Sequence, residues 1–303
     1  MVPCDASWPF SHGQRHSELL SGVQNGDLMR IKTQLNCKKP FLGIKMIDRL
    51  LRKCGMELHR VKHNGKIEEY RLRLQQHDRI ELTVIDASIN GQQIRFAVNF
   101  REDHIQRHHF RGEFYEQKEL ERIGQYFKGG TLIDIGANVG NHSIYAAKFL
   151  NAKKVIAFEP GDLASTIFKC NISLNDLQNV IEVRKVALSD AAGMGTFESP
   201  MPYNLGAARV LIDKAGSTPV MTGDVALQGE AVEFIKIDTE GLELRVLFGL
   251  EGIISSQRPG LFVEVEDKNT DAVNSFLLRV GYEVVERVKN YEGMANWIAI
   301  ASN

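Results

Sequence analysis

The sequence predicts an α/β fold built on a mostly parallel sheet, with one antiparallel strand close to its end. From about residue 114, short apolar strands alternate with helices, which is the pattern of a parallel sheet with helices on both faces. The last two strand-like runs, 282–288 and 294–300, are separated by only a short turn-like segment. A parallel crossover needs about a dozen residues or more, so we expect this last pair to be antiparallel.

The elements of this fold can be assigned in order along the chain. A helix over 116–127 ends at Gly129-Gly130, and the stretch 189–230 is less regular. The first strand, Leu132–Ile135, is apolar except for Asp134, as expected for a parallel strand buried on both faces. The further predicted strands cover 154–159, 180–188, 233–238 and 261–266, and the further helices cover 141–150, 162–175, 242–254 and 271–280.

Residues 1–105 are predicted to form an N-terminal extension that precedes the α/β domain, 106–303. Apolar residues at helical spacing predict a helix over Ile44–Leu51. Within Glu81–Phe100, the pair Asn90-Gly91 separates two β-rich runs. An Asn-Gly pair in this position is the strongest short-range signal for a β-hairpin.

Composition and charge exclude several classes. The chain has 303 residues and a net charge of −1, which gives no general attraction to nucleic acid or to an anionic membrane. The N-terminus lacks the pattern of a secretory signal, and no stretch is long and apolar enough to span a bilayer. The cysteines are far apart and form no C-x-x-C pair, so we expect reduced thiols in a cytoplasmic protein. They are Cys4, Cys37, Cys54 and Cys170.

A glycine-containing loop, Gly136-Ala137-Asn138-Val139-Gly140, follows the first strand. Open parallel sheets bind ligands beyond the carboxyl ends of their strands. Gly136 permits a tight turn, and Gly140 lets a ligand approach the backbone closely. Asp134 at the strand end offers a carboxylate to a cationic ligand, and a helix begins directly after the loop, at Asn141–Ser143. The segment therefore predicts a site for a nucleotide-like cofactor.

Two further strand ends help to choose the cofactor. Glu159 ends the second strand about twenty residues after the loop, where its carboxylate can accept both hydroxyls of a ribose. Leu188-Ser189-Asp190 ends the third strand, where polar groups can meet an adenine. The loop lacks the third glycine of a dinucleotide motif, which favours S-adenosylmethionine, a cation without a pyrophosphate, over NAD. NAD binding and a purely structural strand–helix turn are the alternatives.

Several motifs resemble the FkbM family of S-adenosylmethionine-dependent methyltransferases. They are Tyr115-Glu116, IDIGANVGNHSIYAA at 133–147, FEP at 158–160, VALSD at 186–190 with Gly193, and FIKIDTEGLELRVLFG at 234–249. The last motif is the most specific, and the resemblance runs from about Tyr115 to Ile300. It implies a class I methyltransferase fold and, most often, methylation of a hydroxyl oxygen on a sugar or secondary metabolite. The chain departs from the family in having Asp224 alone where two acids in sequence are common.

Strand-end position and the resemblance together predict the residues that contact the cofactor. These residues are Glu116, Asp134, Gly136, Ala137, Asn138, Gly140, Asn141, Ser143, Glu159, Pro160, Leu188, Ser189, Asp190 and Asp238.

The charged residues around the end of the fourth strand are the predicted catalytic groups. Strand alternation places Lys236 and Asp238 on the same side, with Asp238 at the strand end. We expect Asp238 or Glu240 to orient or deprotonate the acceptor, and Lys236 to hold an acid in place or to contact substrate. The alternative is structural: Lys236 forms a buried pair with an acid, while Glu240 and Glu243 interact with the N-terminus of the next helix.

Contacts with the molecule that accepts the methyl group are predicted in a histidine-rich stretch, an irregular loop and the fifth strand. These contacts are His104, His108, His109, Tyr203, Asn204 and Glu264. We expect the basic stretch Arg101–Arg111 to be a flexible loop that is solvated or faces the substrate. No metal site is predicted: the acids could bind Mg²⁺, and His104 and His108 have a spacing compatible with zinc, but no spacing demands either ion.

The leading functional hypothesis is S-adenosylmethionine-dependent O-methylation of a small hydroxylated molecule or a glycan. A nucleic-acid methyltransferase that binds through Arg101–Arg111 is a second hypothesis, and the neutral net charge weighs against it. A non-catalytic S-adenosylmethionine-binding scaffold, with residues 1–105 as its partner surface, is a third. The complete set of polar strand ends weighs against that one. The extension also allows a homo-oligomer.

Overall fold

A computed structural model describes residues 56–63, 67–74, 81–199, 201 and 204–302. These ranges lie within one compact unit. The helix predicted over Ile44–Leu51 and the candidate residue Tyr203 lie outside the described residues, as do Cys4, Cys37 and Cys54.

The described residues form β-strands and α-helices in the following order. The strands are β1 (Met56–His63), β2 (Ile67–Leu74), β3 (Glu81–Ile89), β4 (Gln92–Val98), β5 (Gly130–Ile135), β6 (Ala152–Phe158), β7 (Ile181–Arg184), β8 (Ala187–Leu188), β9 (Gly193–Glu198), β10 (Arg209–Ile212), β11 (Thr218–Met221), β12 (Phe234–Ile237), β13 (Gly260–Glu266), β14 (Tyr282–Tyr291) and β15 (Met294–Ala301). The helices are α1 (Gln106–Phe110), α2 (Gln117–Tyr126), α3 (Asn141–Phe149), α4 (Asp162–Leu174), α5 (Gly223–Ala226), α6 (Glu243–Gly249), α7 (Glu251–Gln257) and α8 (Thr270–Arg279).

A central seven-stranded sheet has the order β14-β15-β13-β12-β5-β6-β7. Strands β13, β12, β5, β6 and β7 are parallel, whereas β15 runs antiparallel to both β13 and β14. The predicted fold class is therefore confirmed. Strand order reverses between β5 and β12, because β6 and β7 lie on one side of β5 and the later strands lie on the other. This reversal is where an open parallel sheet binds its ligand.

Two apolar clusters cover the two faces of this sheet. Ile133 and Ile135 pack with residues of α6, α7 and α8, whereas Leu132 packs with residues of α2, α3 and α4. Neighbouring strand residues point to opposite faces, so the apolar residues of β5 serve both layers. Burial of one large apolar side chain contributes about 1.5–3 kcal/mol, and this packing holds the carboxyl ends of the strands in place.

The predicted hairpin is confirmed and belongs to a larger sheet. Strands β3 and β4 pair antiparallel around Asn90 and Gly91, whose φ angles are +48° and +77°. Positive φ at both central residues is the geometry of a two-residue type I′ turn. Strands β1 and β2 extend the hairpin to a four-stranded antiparallel sheet.

Two asparagines of α4 join this hairpin to the α/β domain. The backbone N–H of Ala97 donates to Oδ1 of Asn171 at 2.6 Å. Asn175 accepts from the N–H of Arg95 at 2.9 Å and donates to its carbonyl at 2.6 Å. These bonds occupy backbone groups of β4, and β4 contributes Phe96 to the same core as Phe168 of α4.

Three stretches differ from the sequence prediction. The strand predicted over 180–188 divides into β7 and β8, and β8 leaves the central sheet to pair with β11. The stretch 189–230, predicted as irregular, contains most of a small sheet with the order β10-β9-β11-β8. The helix predicted over 242–254 divides at Leu250 into α6 and α7.

Candidate active site

A cavity opens at the carboxyl edge of the central sheet, where β5, β6 and β12 end. Its volume is about 280 Å³, just below the roughly 300–1,000 Å³ typical of small-molecule sites. The loops after these strands form its floor. Residues at His104–Ile105 and between Asn204 and Val210 form further parts of the wall.

Gly136 brings the ends of β5 and β12 into close approach. Its φ is +77°, and a Cβ at this position would lie 1.7 Å from the carbonyl oxygen of Asp238. The N–H groups of Gly136 and Ala137 both donate to the carbonyl of Phe158, at 3.0 and 3.1 Å. These bonds turn the loop across the end of β6, and Gly136, Ala137 and Asn138 line the cavity.

Gly140 does not line the cavity; it lets the helix α3 pack against α4. Its φ is +88°, and a Cβ would lie 2.1 Å from the ring of Phe168. The sequence correctly marks Gly140 as a special backbone position, but the group that comes close to it is an aromatic ring of the core rather than the ligand.

Asp134 lies beneath the loop, fully buried and outside the cavity lining. Its Oδ2 accepts from the hydroxyl of Ser143 at 2.6 Å, and its Oδ1 lies 3.4 Å from Nζ of Lys236. The predicted direct contact of Asp134 and Ser143 with a ligand does not agree with these positions. Both residues support the loop from below.

Lys236 is the cation of this supporting network. Its Nζ donates to the carbonyl of Gly136 at 2.9 Å and lies 3.2 Å from Oδ2 of Asp238. Burial lowers the pKa of Lys236, but the charges of Asp238 and Asp134 outweigh burial and raise it above its usual range. The ammonium therefore stays protonated and ties the ends of β5 and β12 together, as the structural alternative proposed.

Glu159 presents a carboxylate at the end of β6. Its two oxygens accept backbone N–H bonds from Asn138 at 2.8 Å and Gly161 at 2.7 Å. Each oxygen keeps a further acceptor position, and burial raises the pKa of Glu159 to about 7. Pro160 and Leu188 line the cavity beside it.

Ser189 and Asp190, predicted to contact an adenine, do not line the cavity. Ser189 is fully buried. Asp190 accepts from Nε of Arg245 at 2.9 Å and lies 2.7 Å from Nη2 of the same guanidinium. The hydrogen bond from Arg245 also lowers the pKa of Asp190. The exposed ion pair draws Asp190 toward α6, away from the ligand edge.

Four carboxyl groups line the other half of the cavity: Glu116, Asp238, Glu240 and Glu264. Burial, followed by the charge of Asp238, raises the pKa of Glu116 to about 8. The same two causes, in the same order, raise the pKa of Glu264 to about 9. Glu240 is exposed and has a φ of +56°. Glu243 binds the loop instead of a ligand, since its Oε1 accepts from the N–H groups of Thr239 and Gly241 at 2.8 and 3.0 Å.

His142 is a lining residue that the sequence analysis did not identify. It stands in the first turn of α3, is 8% exposed, and its buried Nε2 has no hydrogen-bond partner within the described residues. Nε2 lies 3.7 Å from Oε2 of Glu116. Burial and the charge of Lys236 lower the pKa of His142 to about 4, so the ring is neutral near pH 7. The motif marks the start of the helix, but only the fold shows which side chain of its first turn reaches the cavity.

The histidine-rich stretch is ordered, and its three histidines lie in different surroundings. His104 lines the cavity, whereas His108 and His109 do not. His109 is fully buried, stacks on Phe96 with ring centroids 4.2 Å apart, and bonds Oδ1 of Asn141 at 3.0 Å. The expected flexible loop is therefore wrong for Gln106–Phe110, which forms α1. The predicted contact of His109 with the methyl-accepting substrate also disagrees with its position in the core.

Asp103, which the sequence analysis also missed, connects two walls of the cavity. One carboxylate oxygen accepts from the N–H groups of Ile105 at 3.1 Å and Gln106 at 2.8 Å, which begins α1. The other accepts from the N–H of Leu205 at 2.7 Å. The candidate residue Asn204 precedes Leu205, lines the cavity, and accepts from the N–H of Gly206 at 3.1 Å.

Within the described part of the chain, no group of three or more acidic, histidine or cysteine side chains could hold a metal ion. No described helix is both long and apolar enough to cross a bilayer.

The profile of the Methyltransferase FkbM domain matches residues 134–284. This range begins at Asp134 and includes the ends of β5, β6, β12 and β13, which carry most of the site. The chain belongs to the FkbM methyltransferase family. The resemblance in the motifs of β5 and β12 is thereby confirmed.

Individual relatives cover different shares of this FkbM chain. It is 26% identical over 205 residues to AMB antimetabolite synthetase AmbE of Pseudomonas aeruginosa. The alignment covers 51% of this chain and 10% of AmbE. It is 26% identical over 174 residues to Hexuronic acid methyltransferase AglP of Haloferax volcanii. This alignment covers 56% of this chain and 70% of AglP. The crystal structure of Methyltransferase FkbM from Methylobacillus flagellatus is 18% identical, with a TM-score of 0.41, and the alignment covers 57% of this chain and 44% of that one. The chain thus spans a tenth of the length of AmbE.

The cofactor of this FkbM domain is S-adenosylmethionine, and the residues of the cavity fit it. Glu159 would hold the ribose hydroxyls with the acceptor positions that its backbone bonds leave free. Asn138 and His142 carry buried polar atoms, Oδ1 and Nε2, that lack a hydrogen-bond partner among the described residues. The carboxyl groups around Asp238 would face the sulfonium and ammonium charges.

Proposed function

We propose that this chain methylates a hydroxyl oxygen of a sugar or another small hydroxylated molecule, with S-adenosylmethionine as the methyl donor. The observation that carries the proposal is the position of Asp238. Its carboxylate lines the cavity at the end of β12, lies 3.2 Å from Lys236, and keeps 32% of its side chain exposed. A carboxylate fixed in this way can accept a hydrogen bond from an acceptor hydroxyl. The name of the relative AglP, a hexuronic acid methyltransferase, supports a sugar as the acceptor.

The donor, when bound, supplies an electrophilic methyl group on a sulfonium that is already a good leaving group. The tasks of the chain are to align the acceptor oxygen and to receive its proton. Alignment can contribute roughly 7–11 kcal/mol to the lowering of the barrier. A general base contributes about 10²–10⁴-fold, or roughly 3–5 kcal/mol. Because Lys236 holds Asp238 in one position, we assign both tasks to Asp238 first, with Glu240 as the neighbouring alternative base.

The test compares Asp238→Asn with Glu159→Ala in assays with methyl-labelled S-adenosylmethionine and a panel of neutral sugars, uronic acids and polyols. We expect Asp238→Asn to lower kcat by about 10²–10⁴-fold, with a smaller loss of cofactor affinity than Glu159→Ala. Glu159→Ala should mainly weaken cofactor binding, measured by calorimetry.

Product NMR decides the acceptor atom. A methyl group on oxygen supports the proposal, whereas a methyl group on nitrogen contradicts it. If Asp238→Asn loses as much cofactor affinity as Glu159→Ala, Asp238 is a cofactor ligand rather than the group that acts on the acceptor.

A further inference from the structure

The cavity has two halves that differ in charge. Glu159 at the end of β6 and Leu188 of β8 belong to one half, and the other half holds four carboxyl groups, those of Glu116, Asp238, Glu240 and Glu264. Neighbouring strands are about 4.8 Å apart, and β5 and β12 separate β6 from β13. Glu159 and Glu264 therefore belong to strands roughly 14 Å apart.

The order of these strands orients the donor within the cavity. If Glu159 holds the ribose and the adenine lies toward Leu188, the sulfur attached to the ribose lies on the side of β12. The sulfonium is then the part of the donor nearest to Asp238 and its neighbouring carboxyl groups. This step rests on the proposed function, because it takes S-adenosylmethionine as the ligand.

The charge in this half is not balanced by the cations that line it. Lys236 already contacts Asp134 and Asp238, at 3.4 and 3.2 Å. Arg209 lies 3.3 Å from Glu198, and this pair is largely exposed. His142 is neutral near pH 7, since its pKa is about 4. Three further carboxyl groups, Glu116, Glu240 and Glu264, therefore share the cavity with a network that already contains two aspartates for one lysine.

His142 is an independent sign that a ligand completes this half. Its Nε2 is buried and unpartnered within the described residues. The distance from this Nε2 to Oε2 of Glu116 is 3.7 Å, which is too long for a hydrogen bond. When the ring carries its proton on Nδ1 and Glu116 is ionised, these two atoms are both acceptors, and their separation suits a ligand group that donates to both, such as an ammonium.

We propose that Glu116 and Glu264 make this cavity select the sulfonium donor over its neutral thioether product. The donor S-adenosylmethionine and the product S-adenosylhomocysteine differ by one methyl group and one positive charge. Transfer of the methyl group removes the positive charge at sulfur, so the carboxyl groups lose their counter-ion and the product leaves more readily.

The proposal predicts that donor binding is coupled to proton release. Glu116 faces Tyr115, Glu119, His142, Lys236 and Asp238. Glu264 faces Lys236, Asp238, Glu240 and Glu243. Burial and these acidic neighbours raise the pKa of Glu116 to about 8 and that of Glu264 to about 9. Both groups are therefore largely protonated at pH 6.5, and a bound cation favours their ionised forms.

The experiment is calorimetric titration of the full chain with S-adenosylmethionine and with S-adenosylhomocysteine between pH 6.5 and 8.5. Paired buffers of different ionisation enthalpy report the protons released. We expect the ratio of donor to product affinity to rise at least about tenfold over this range, since each group that must lose a proton weakens binding by up to about tenfold per pH unit.

Three variants distinguish protons released by the protein from protons released by the ligand. Glu116→Gln and Glu264→Gln should each lower the proton release and flatten the pH dependence of the affinity ratio. The doubly substituted protein measures what the ligand's own ammonium contributes, since that group titrates in the same range. Glu251→Gln is the matched control, because Glu251 is an exposed carboxylate paired with Arg279 on the outside of α7.

The outcomes are distinct. Parallel pH profiles for donor and product, or equal proton release by both, would overturn the proposal even if both ligands bind. If neither ligand binds at any pH, cofactor binding itself fails and the inference fails with it. The comparison of the two ligands on the unsubstituted protein decides the question even where a variant does not fold.

Discussion

Gly136 shows how one residue connects the fold to the cofactor site. The loop after β5 must pass under the backbone of β12, and the carbonyl oxygen of Asp238 occupies the place where a Cβ would stand, at 1.7 Å. The positive φ of +77° adds a conformational requirement that glycine meets without strain. The same contact places the predicted catalytic carboxylate beside the loop that lines the cavity.

We predict that Gly136→Ala destabilises the protein and abolishes cofactor binding, because the new Cβ must push β5 and β12 apart. Gly229→Ala is the matched control: its φ is +82°, but nothing lies within 4 Å of the added Cβ. The control should cost about 1–2 kcal/mol for the left-handed backbone alone, and Gly136→Ala clearly more. Urea unfolding measures both, and equal losses of stability would contradict a steric role for the contact.

Residue patterns alone could identify the strand-end glycines and acids, because strand alternation and loop position are local properties of the sequence. They could not separate Glu159, which lines the cavity, from Asp134, which supports the loop from beneath. The partners that decide this, such as Lys236, are a hundred residues away in the chain. His142 and Asp103 were missed for the same reason, since their roles depend on which segments meet in space.

At the scale of elements, helix α4 joins the four-stranded sheet β1–β4 to the α/β domain. Asn171 is fully buried, accepts from Ala97 of β4, and donates to the carbonyl of Val139 at 2.8 Å. One side chain therefore links the β3–β4 hairpin with the loop that precedes α3. The Asn-Gly turn makes this hairpin predictable from sequence, but its docking depends on pairs about 75 residues apart.

We predict that Asn171→Ala lowers the free energy of unfolding by about 2–6 kcal/mol, because it leaves two buried backbone groups without partners, at about 1–3 kcal/mol each. Gln92→Ala removes an exposed bond to the carbonyl of Lys148 and should cost within about 0.5 kcal/mol. Chemical denaturation compares the two variants. A loss for Asn171→Ala no larger than that of the control would show that the bonds of Asn171 do not stabilise the docked hairpin.

The small sheet β8–β11 could not be predicted because its signals are weak. Strands β8, β10 and β11 have two to four residues each, too few to establish a period of two. Gly193 and Gly195 in β9 read as turn residues. Gly195 is instead a point of close approach, where an added Cβ would lie 2.8 Å from the carbonyl oxygen of Leu211.

For the whole molecule, the acidic half of the cavity links stability to pH. The folded-state pKa values of Glu116 and Glu264, about 8 and about 9, lie above the unfolded-state value, so the folded protein binds more protons. Their stabilising contribution is complete below the unfolded pKa and is lost as pH rises through the folded values. His109 and His142 act in the opposite sense, since their pKa values of about 4 make the folded state lose stability only in acid.

We predict that the free energy of unfolding of the protein without cofactor falls between about pH 6.5 and 8.5, by up to about 1.4 kcal/mol per pH unit for each of the two carboxyl groups. The thermal midpoint should fall with it. S-adenosylmethionine should raise the midpoint more at pH 8.5 than at pH 6.5, since it supplies the missing positive charge. Differential scanning calorimetry checks both trends, with Glu116→Gln as the variant that flattens them. A midpoint that rises over this range would contradict the assigned protonation.

The most direct test of the account is calorimetric titration of the full chain with S-adenosylmethionine and, separately, with NAD. Glycines and acids at the ends of β5, β6 and β12 build the cavity, and the family match covers them. We expect one S-adenosylmethionine site per chain, weakened at least about tenfold by Glu159→Ala through the loss of charge-assisted hydrogen bonds, and no NAD binding. Clear NAD binding without S-adenosylmethionine binding would contradict the account.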